Sequence, residues 1–253
     1  MSDRETVKRL IDKLSPMGVR FVARMVDAMA NPPQPQLASQ PTWITADADW
    51  IEYFGLVVSA HHGHTVEPLG LLSFETGFRS ACEAVGWQVD PPGPATQRFV
   101  DLTVRPTGGP SRKLSLKSTA AQNLSKTSVH ISKLTEAAWI QDVRSARDRR
   151  TETLKLFDDY CQAVDAIVML RAFRSGPNAI PHRYQLLEIP SAIFASLVDA
   201  NVSAFNADGP TIDCAYGGHA AAARVSLDRS DAKITVKQIL LAACDVHAEW
   251  ELA

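Results

Sequence analysis

The run RFVDLTVR (98–105), PTGGPS (106–111) and KLSLK (113–117) decides how the chain is read. In the first piece Val100, Leu102 and Val104 alternate with Asp101 and Thr103. In the last, Leu114 and Leu116 alternate with Lys113, Ser115 and Lys117. A period of two sends successive side chains to opposite faces of a strand. Two such runs around a Gly-Gly turn predict an antiparallel hairpin. Pairing symmetric about Gly109 sets Asp101 opposite Lys117 and Thr103 opposite Ser115. A carboxylate and an ammonium then stand side by side on the polar face.

Upstream of the hairpin, LLSFETGFRSACEAVGW (71–87) predicts a helix with Phe74, Phe78, Ala81, Cys82 and Val85 on one face and Gly86 at its end. WQVDPPGP (87–94) reads as a turn-rich connection, and WIEYFGLVVSAHH (50–62) suits helix or strand. Downstream, TSVHISKLTEAAWIQ (127–141) is a strand or the start of a helix. TETLKLFDDYCQAVDAIVMLRAF (151–173) is a helix running into an apolar strand, and HRYQLLEIPSAIFASLVDA (182–200) is a strand followed by a helix opened by Pro190-Ser191. AAARVSLDRSDAKITVKQILL (221–241) gives two strands around the turn Arg229-Ser230-Asp231. These elements predict a mixed α+β core, with a central mixed sheet flanked by helices and the hairpin inside that sheet. Val7, Leu10, Ile11 and Leu14, then Val19, Val22, Met25, Val26 and Met29, mark two helical stretches broken at Ser15-Pro16. The expected organisation is an N-terminal helical extension (1–31), a Pro/Gln-rich extended linker (32–42) and one main domain (43–253).

The 253 residues are 45% apolar and 21% charged, which excludes a mainly disordered chain. No stretch reaches the roughly 20 apolar residues of a membrane span, and the charged N-terminus has no signal-peptide core. Cys82, Cys161, Cys214 and Cys244 lie far apart, without a CxxC pair, as expected of a reduced, cytoplasmic protein. The net charge of −2 is uneven: residues 98–150 carry eleven Lys/Arg against four Asp/Glu, or +7, leaving −9 for the rest. A basic middle in an acidic chain suits a polyanion-binding face, the alternative being an ordinary solvated surface.

An acid-bearing helix, a strand with Asp and a strand ending in Lys form the layout of metal-dependent phosphodiester nucleases. Mg²⁺ prefers oxygen ligands, taking one or two carboxylates plus waters and phosphate oxygens. It lowers the pKa of a water and neutralises charge growing on the phosphate, while a lysine orients the water or stabilises the same charge. VDLTV…KLSLKST resembles the Asp…(Asp/Glu)-x-Lys signature of the PD-(D/E)xK restriction-endonuclease-like nucleases. SLKSTAAQNLSKTSVHISKLTEAAWIQ, and then DYCQAVDAIVMLRAF…HRYQLLEIP, resemble the MutH-like and type II restriction endonuclease branch, across roughly residues 71–190. The resemblance implies Asp101 as a metal ligand, Lys117 as the catalytic lysine and Lys133 as an auxiliary lysine near the scissile phosphate. The family has an acid where this chain has Ser115, so a ligand is missing there, and Ser115 is left to position water or phosphate. Two helix acids are candidates to replace it. The helical wheel favours Glu75, which flanks the buried stripe, whereas Glu83, with Gly86 three residues on, fits the family's local pattern better. Glu75 is preferred. The plain alternative for Asp101 and Lys117 is a surface ion pair.

Gln122, Asn123 and Lys126 occupy a polar loop after the lysine strand, where Asn and Gln suit adenine edges and Lys suits guanine. They are expected to bind DNA, together with His130, Arg144 and Arg147. The wider run Arg144, Arg147, Arg149 and Arg150 is read as phosphate-contacting. His61, His62 and His64 match no standard ligand spacing and are expected in a polar loop. Gly217-Gly218 lacks the Lys-Ser/Thr of a phosphate loop. The sequence therefore predicts a Mg²⁺-dependent, sequence-specific double-stranded DNA endonuclease of the type II restriction class, leaving 5′-phosphates as the resemblance implies. A homodimer is among the expected assemblies and no membrane is involved. A DNA-binding relative with a degraded metal site and a partner-dependent repair nickase are the alternatives.

Overall fold

The computed structural model describes residues 2–91, 93 and 98–252. In chain order the elements are α1 (Asp3–Ile11), α2 (Pro16–Ala30), β1 (Pro35–Leu37), α3 (Ala48–His62), α4 (Leu71–Ala84), β2 (Gln88–Val89), β3 (Leu102–Arg105), β4 (Arg112–Thr119) and β5 (Ser128–Glu136). There follow α5 (Ala146–Ala163), β6 (Ala166–Phe173), β7 (Arg183–Pro190), β8 (Thr211–Tyr216), β9 (His219–Asp228), β10 (Lys233–Leu240) and β11 (Asp245–Glu251). Residues Ser191–Asp199, expected as an α-helix, form a 3-10 stretch instead.

Seven strands make a mixed sheet in the order β1-β11-β7-β6-β4-β3-β2, and four make a second sheet in the order β5-β10-β9-β8. β4 and β6 run parallel, while the other described neighbours pair antiparallel. The large sheet is covered on both faces. All eight residues of β6 are buried, the signature of a strand with a layer on each side. Its Ala166, Val168, Leu170 and Ala172 join Leu114, Leu116 and the aromatic face of α3 and α4 in one core. Its Ile167 and Met169 join α5 and the small sheet in the other. The fold is thus a mixed α+β architecture with a large central sheet between helices on one side and a helix plus a second sheet on the other.

Local signals account for the punctuation. Gly86, at φ 75, closes α4, with Trp87 N–H returning to the Cys82 carbonyl at 2.9 Å. Gly217 and Gly218 both take positive φ in the two-residue β8–β9 turn. Pro35–Leu37, within the Pro/Gln-rich stretch, pairs with β11 as an edge strand. Pro92 and Pro94 of the connection after Trp87 lie outside the described residues. No described helix is long and apolar enough to cross a membrane.

The hairpin forms, with a different register from the predicted one. Leu102 faces Leu114, Thr103 faces Lys113 and Val104 faces Arg112, so the ribbon folds about Gly108, which takes φ +73. The partner shift is two residues, an even number, so every side chain keeps its face. The first strand also starts later than its alternation suggests. Phe99 adopts φ 71, which breaks the extended run and sends Val100 to the α5 side, away from Leu102 and Val104.

Candidate active site at the β3–β4 ribbon

Asp101 sits at the mouth of β3, its N–H bonded to the Leu114 carbonyl at 2.9 Å. The bend before it is anchored by Phe99, whose ring packs against Tyr160 of α5 at 5.1 Å and under the Arg98 guanidinium at 4.7 Å. A bulky residue held at positive φ costs about 1–3 kcal/mol, a cost that surrounding packing must offset.

Three donors converge on one oxygen of Asp101. Oδ2 accepts from Leu116 N–H at 2.7 Å, Ser115 Oγ at 3.1 Å and Lys117 Nζ at 3.3 Å. Lys117 Nζ also donates to the Leu116 carbonyl at 3.0 Å. The side chains of Lys117 and Asp101 are 17% and 32% exposed, so the pair is partly desolvated yet open to a substrate. Glu75 of α4 is near enough to feel the charges of Asp101 and Lys117. Its carboxyl is raised above the ordinary value, first by burial and then by the negative charge of Asp101, with Lys117 opposing. Glu83 is elsewhere, in a largely exposed pair with Arg79 at 3.7 Å. Ser115 is buried between Asp101 and Tyr160. The Tyr160 hydroxyl faces Ser115 without closing a hydrogen bond, and burial pushes its phenol up.

Asp101, Glu75 and the Leu116 carbonyl offer only oxygen donors, the kind a hard divalent ion prefers. Among the described residues no three His, Cys, Asp or Glu side chains gather as a metal-binding group. The four cysteines are free, and burial pushes the thiols of Cys82, Cys214 and Cys244 up to about 12, which keeps them poor nucleophiles.

The other expected residues are dispersed. Lys133, on β5 of the small sheet, binds Glu136 at 2.6 Å rather than approaching Asp101. Gln122, Asn123 and His130 line one cleft of about 670 Å³, and Lys126 lines a neighbouring cleft of about 490 Å³ with Arg171, Arg174 and Arg183. Burial and the charges of Lys237 and Lys233 hold the His130 imidazole below its usual value.

Arg144 and Arg147 are exposed, but Arg149 and Arg150 are not phosphate contacts. Arg149 is buried on the Phe205, Asn206 and Arg144 carbonyls, and Arg150 holds the Ala200 and Val198 carbonyls. Helix α5 uses them to tie down the 3-10 segments. His61 and His62 end α3 instead of lying in a loop, and all three histidines are satisfied locally. His61 bonds the Glu67 carbonyl, His62 the Thr65 carbonyl and Tyr184 hydroxyl, and His64 the Ala60 carbonyl. Sequence reasoning missed Tyr160, which nothing in its spacing marks. It also missed the Leu116 main chain, which the Ser115–Lys117 spacing places at the centre by necessity.

In an alignment 212 residues long that covers 80% of the chain and 79% of the relative, the chain is 24% identical to the type II restriction enzyme SmaI of Serratia marcescens. No family model and no solved structure matches the chain.

Proposed function

We propose that the protein is a type II restriction-like endonuclease that hydrolyses double-stranded DNA with Mg²⁺. The observation that carries this reading is the partly open Asp101–Lys117 pair, with Glu75 near enough to feel both charges. The similarity to a restriction enzyme along most of the chain supports it. Asp101 and Glu75, with the Leu116 carbonyl, would hold Mg²⁺, which would supply charge neutralisation at the phosphate and a water of lowered pKa.

The side chains do the remaining work. Two of the three Nζ protons of Lys117 are committed, to Asp101 Oδ2 and the Leu116 carbonyl, so one remains to face the substrate. An ammonium so placed is a donor, and it orients the attacking water and stabilises negative charge on the phosphate oxygen. Ser115 Oγ and Leu116 N–H both donate to Oδ2 and so hold the carboxylate in place. The carboxyl of Glu75, raised by burial and by the charge of Asp101, would return to its ionised form more readily beside a cation. In this reading Lys126, Arg144 and Arg147 contact phosphates, and Lys133 serves as a more distant cation on the DNA path. Residues 1–31 act as an extension of the nuclease domain. A homodimer through α1 and α2 accords with their exposed Val7, Leu10, Met17, Phe21 and Val26.

Incubating purified protein with supercoiled plasmid and Mg²⁺, against the same mixture with EDTA, tests the proposal. Linear or nicked product that EDTA abolishes supports it. A second reading, a DNA-binding protein without cleavage, is favoured by Ser115 standing where the resemblance places an acid. It predicts a shifted but intact plasmid.

A further inference from the structure

The small sheet contains an irregularity that the proposed chemistry does not use. Along β10, Val236 pairs with Ile131 and Ile239 with Val129, so three steps on β10 match two on β5. The extra residue is a β-bulge, and it leaves both Lys237 and Gln238 exposed opposite His130, between two core residues. Gln238 takes φ 51, a conformation disfavoured for an unbranched L-residue outside turns, and Asn123 across the cleft takes φ 57. Both line the cleft of about 670 Å³ that also holds Gln122, His130, Arg171 and Lys237. No Asp or Glu among the described residues lines it. Among the described residues, the side-chain amides of Gln122, Asn123 and Gln238 make no internal hydrogen bond, while Lys237 Nζ is steadied by Ser226 Oγ at 3.2 Å.

The cleft lies at the end of the lysine strand. Thr119 on its wall is two residues beyond Lys117 and on the same face of β4, next to Arg171 of β6. An acid-free cleft with three unpartnered amides, beside a phosphodiester-cleaving centre, fits base edges better than a metabolite or a protein.

We infer that the β10 bulge presents Gln238 as a base-reading residue, which forms with Gln122 and Asn123 the surface that recognises the DNA sequence, with Lys237 supplying the adjacent positive charge. The inference rests on the DNA-endonuclease reading. A side-chain amide pairs two-pronged with one base edge and discriminates against the wrong base by about tenfold to hundredfold.

The test is selection of bound duplexes from a randomised pool in Ca²⁺ by the full chain and by Gln238→Ala, with random-duplex affinity and thermal unfolding measured alongside. The expected result is one enriched sequence for the wild type. The variant should enrich the same sequence with one base-pair position degenerate, at about tenfold to hundredfold lower cognate affinity and unchanged random-duplex affinity. Identical sequence preference in the two proteins overturns the inference. So does a variant that loses random-duplex affinity equally, which marks a general backbone contact or a folding defect. A wild type that binds duplexes without preference overturns the base-reading surface while leaving nuclease action standing. A wild type that binds no duplex overturns both readings.

Discussion

Lys117→Ala separates catalysis from stability, because the two effects differ in size. At 3.3 Å a full charge pair is worth about 5 kcal/mol at an effective dielectric of about 20. Partial exposure and the desolvation already paid reduce the net contribution to about 1 kcal/mol. Asp101 keeps the Leu116 N–H and Ser115 donors, so the carboxylate does not become an orphan. Loss of the lysine should therefore lower the melting temperature by only about 2–4 °C for a chain of this size. The rate should fall much further, by about 10²–10⁴-fold, or roughly 3–5 kcal/mol of barrier. Calorimetry and a plasmid-cleavage time course on the same preparation read both numbers. A variant that cleaves within tenfold of wild type, or one that fails to fold, would refute the reasoning.

Other outcomes follow from the same geometry. The raised carboxyl of Glu75 means the folded chain holds that proton to a higher pH than the unfolded chain. Ionising it therefore subtracts stability as pH rises through that window. Without divalent ions, Glu75→Gln should match wild type below the window and melt higher above it, and a variant less stable at neutral pH contradicts this. Double-stranded DNA binding should weaken steeply with salt as counterions return, and Arg147→Ala should lower the logarithmic slope by about one; an unchanged slope removes Arg147 from the phosphate path. Gel filtration should show a dimer that Met17→Glu with Phe21→Glu converts to monomer, and a monomeric wild type would remove the homodimer.

Much of this was legible in the chain. Alternation in 98–105 and 113–117 fixed which residues share a face. Because faces survive a two-residue slip, Asp101 and Lys117 meet even though the predicted partner positions were displaced. The slip comes from the turn: symmetric pairing centres on Gly109, whereas Gly108 is the glycine of the pair that adopts positive φ. The helical wheel of α4 anticipates a half-buried Glu75 and an exposed Glu83, because burial follows the 3.6-residue period. Side-chain hydrogen bonds to distant carbonyls have no such period. Arg149 and Arg150 therefore looked identical in sequence to their exposed neighbours Arg144 and Arg147. The β10 bulge did leave a mark, since Ile234, Val236 and Ile239 break a step of two, but alternation alone does not say what the extra residue faces.

The proposed activity depends above all on Asp101 belonging to a centre that breaks DNA. Its most direct measurement is a side-by-side cleavage course of wild type and Asp101→Asn on plasmid in Mg²⁺, with binding of both to the same DNA recorded in Ca²⁺. Discrete fragments are expected from the wild type, and intact, still-bound plasmid from the variant. Equal breakage by the two proteins would contradict it.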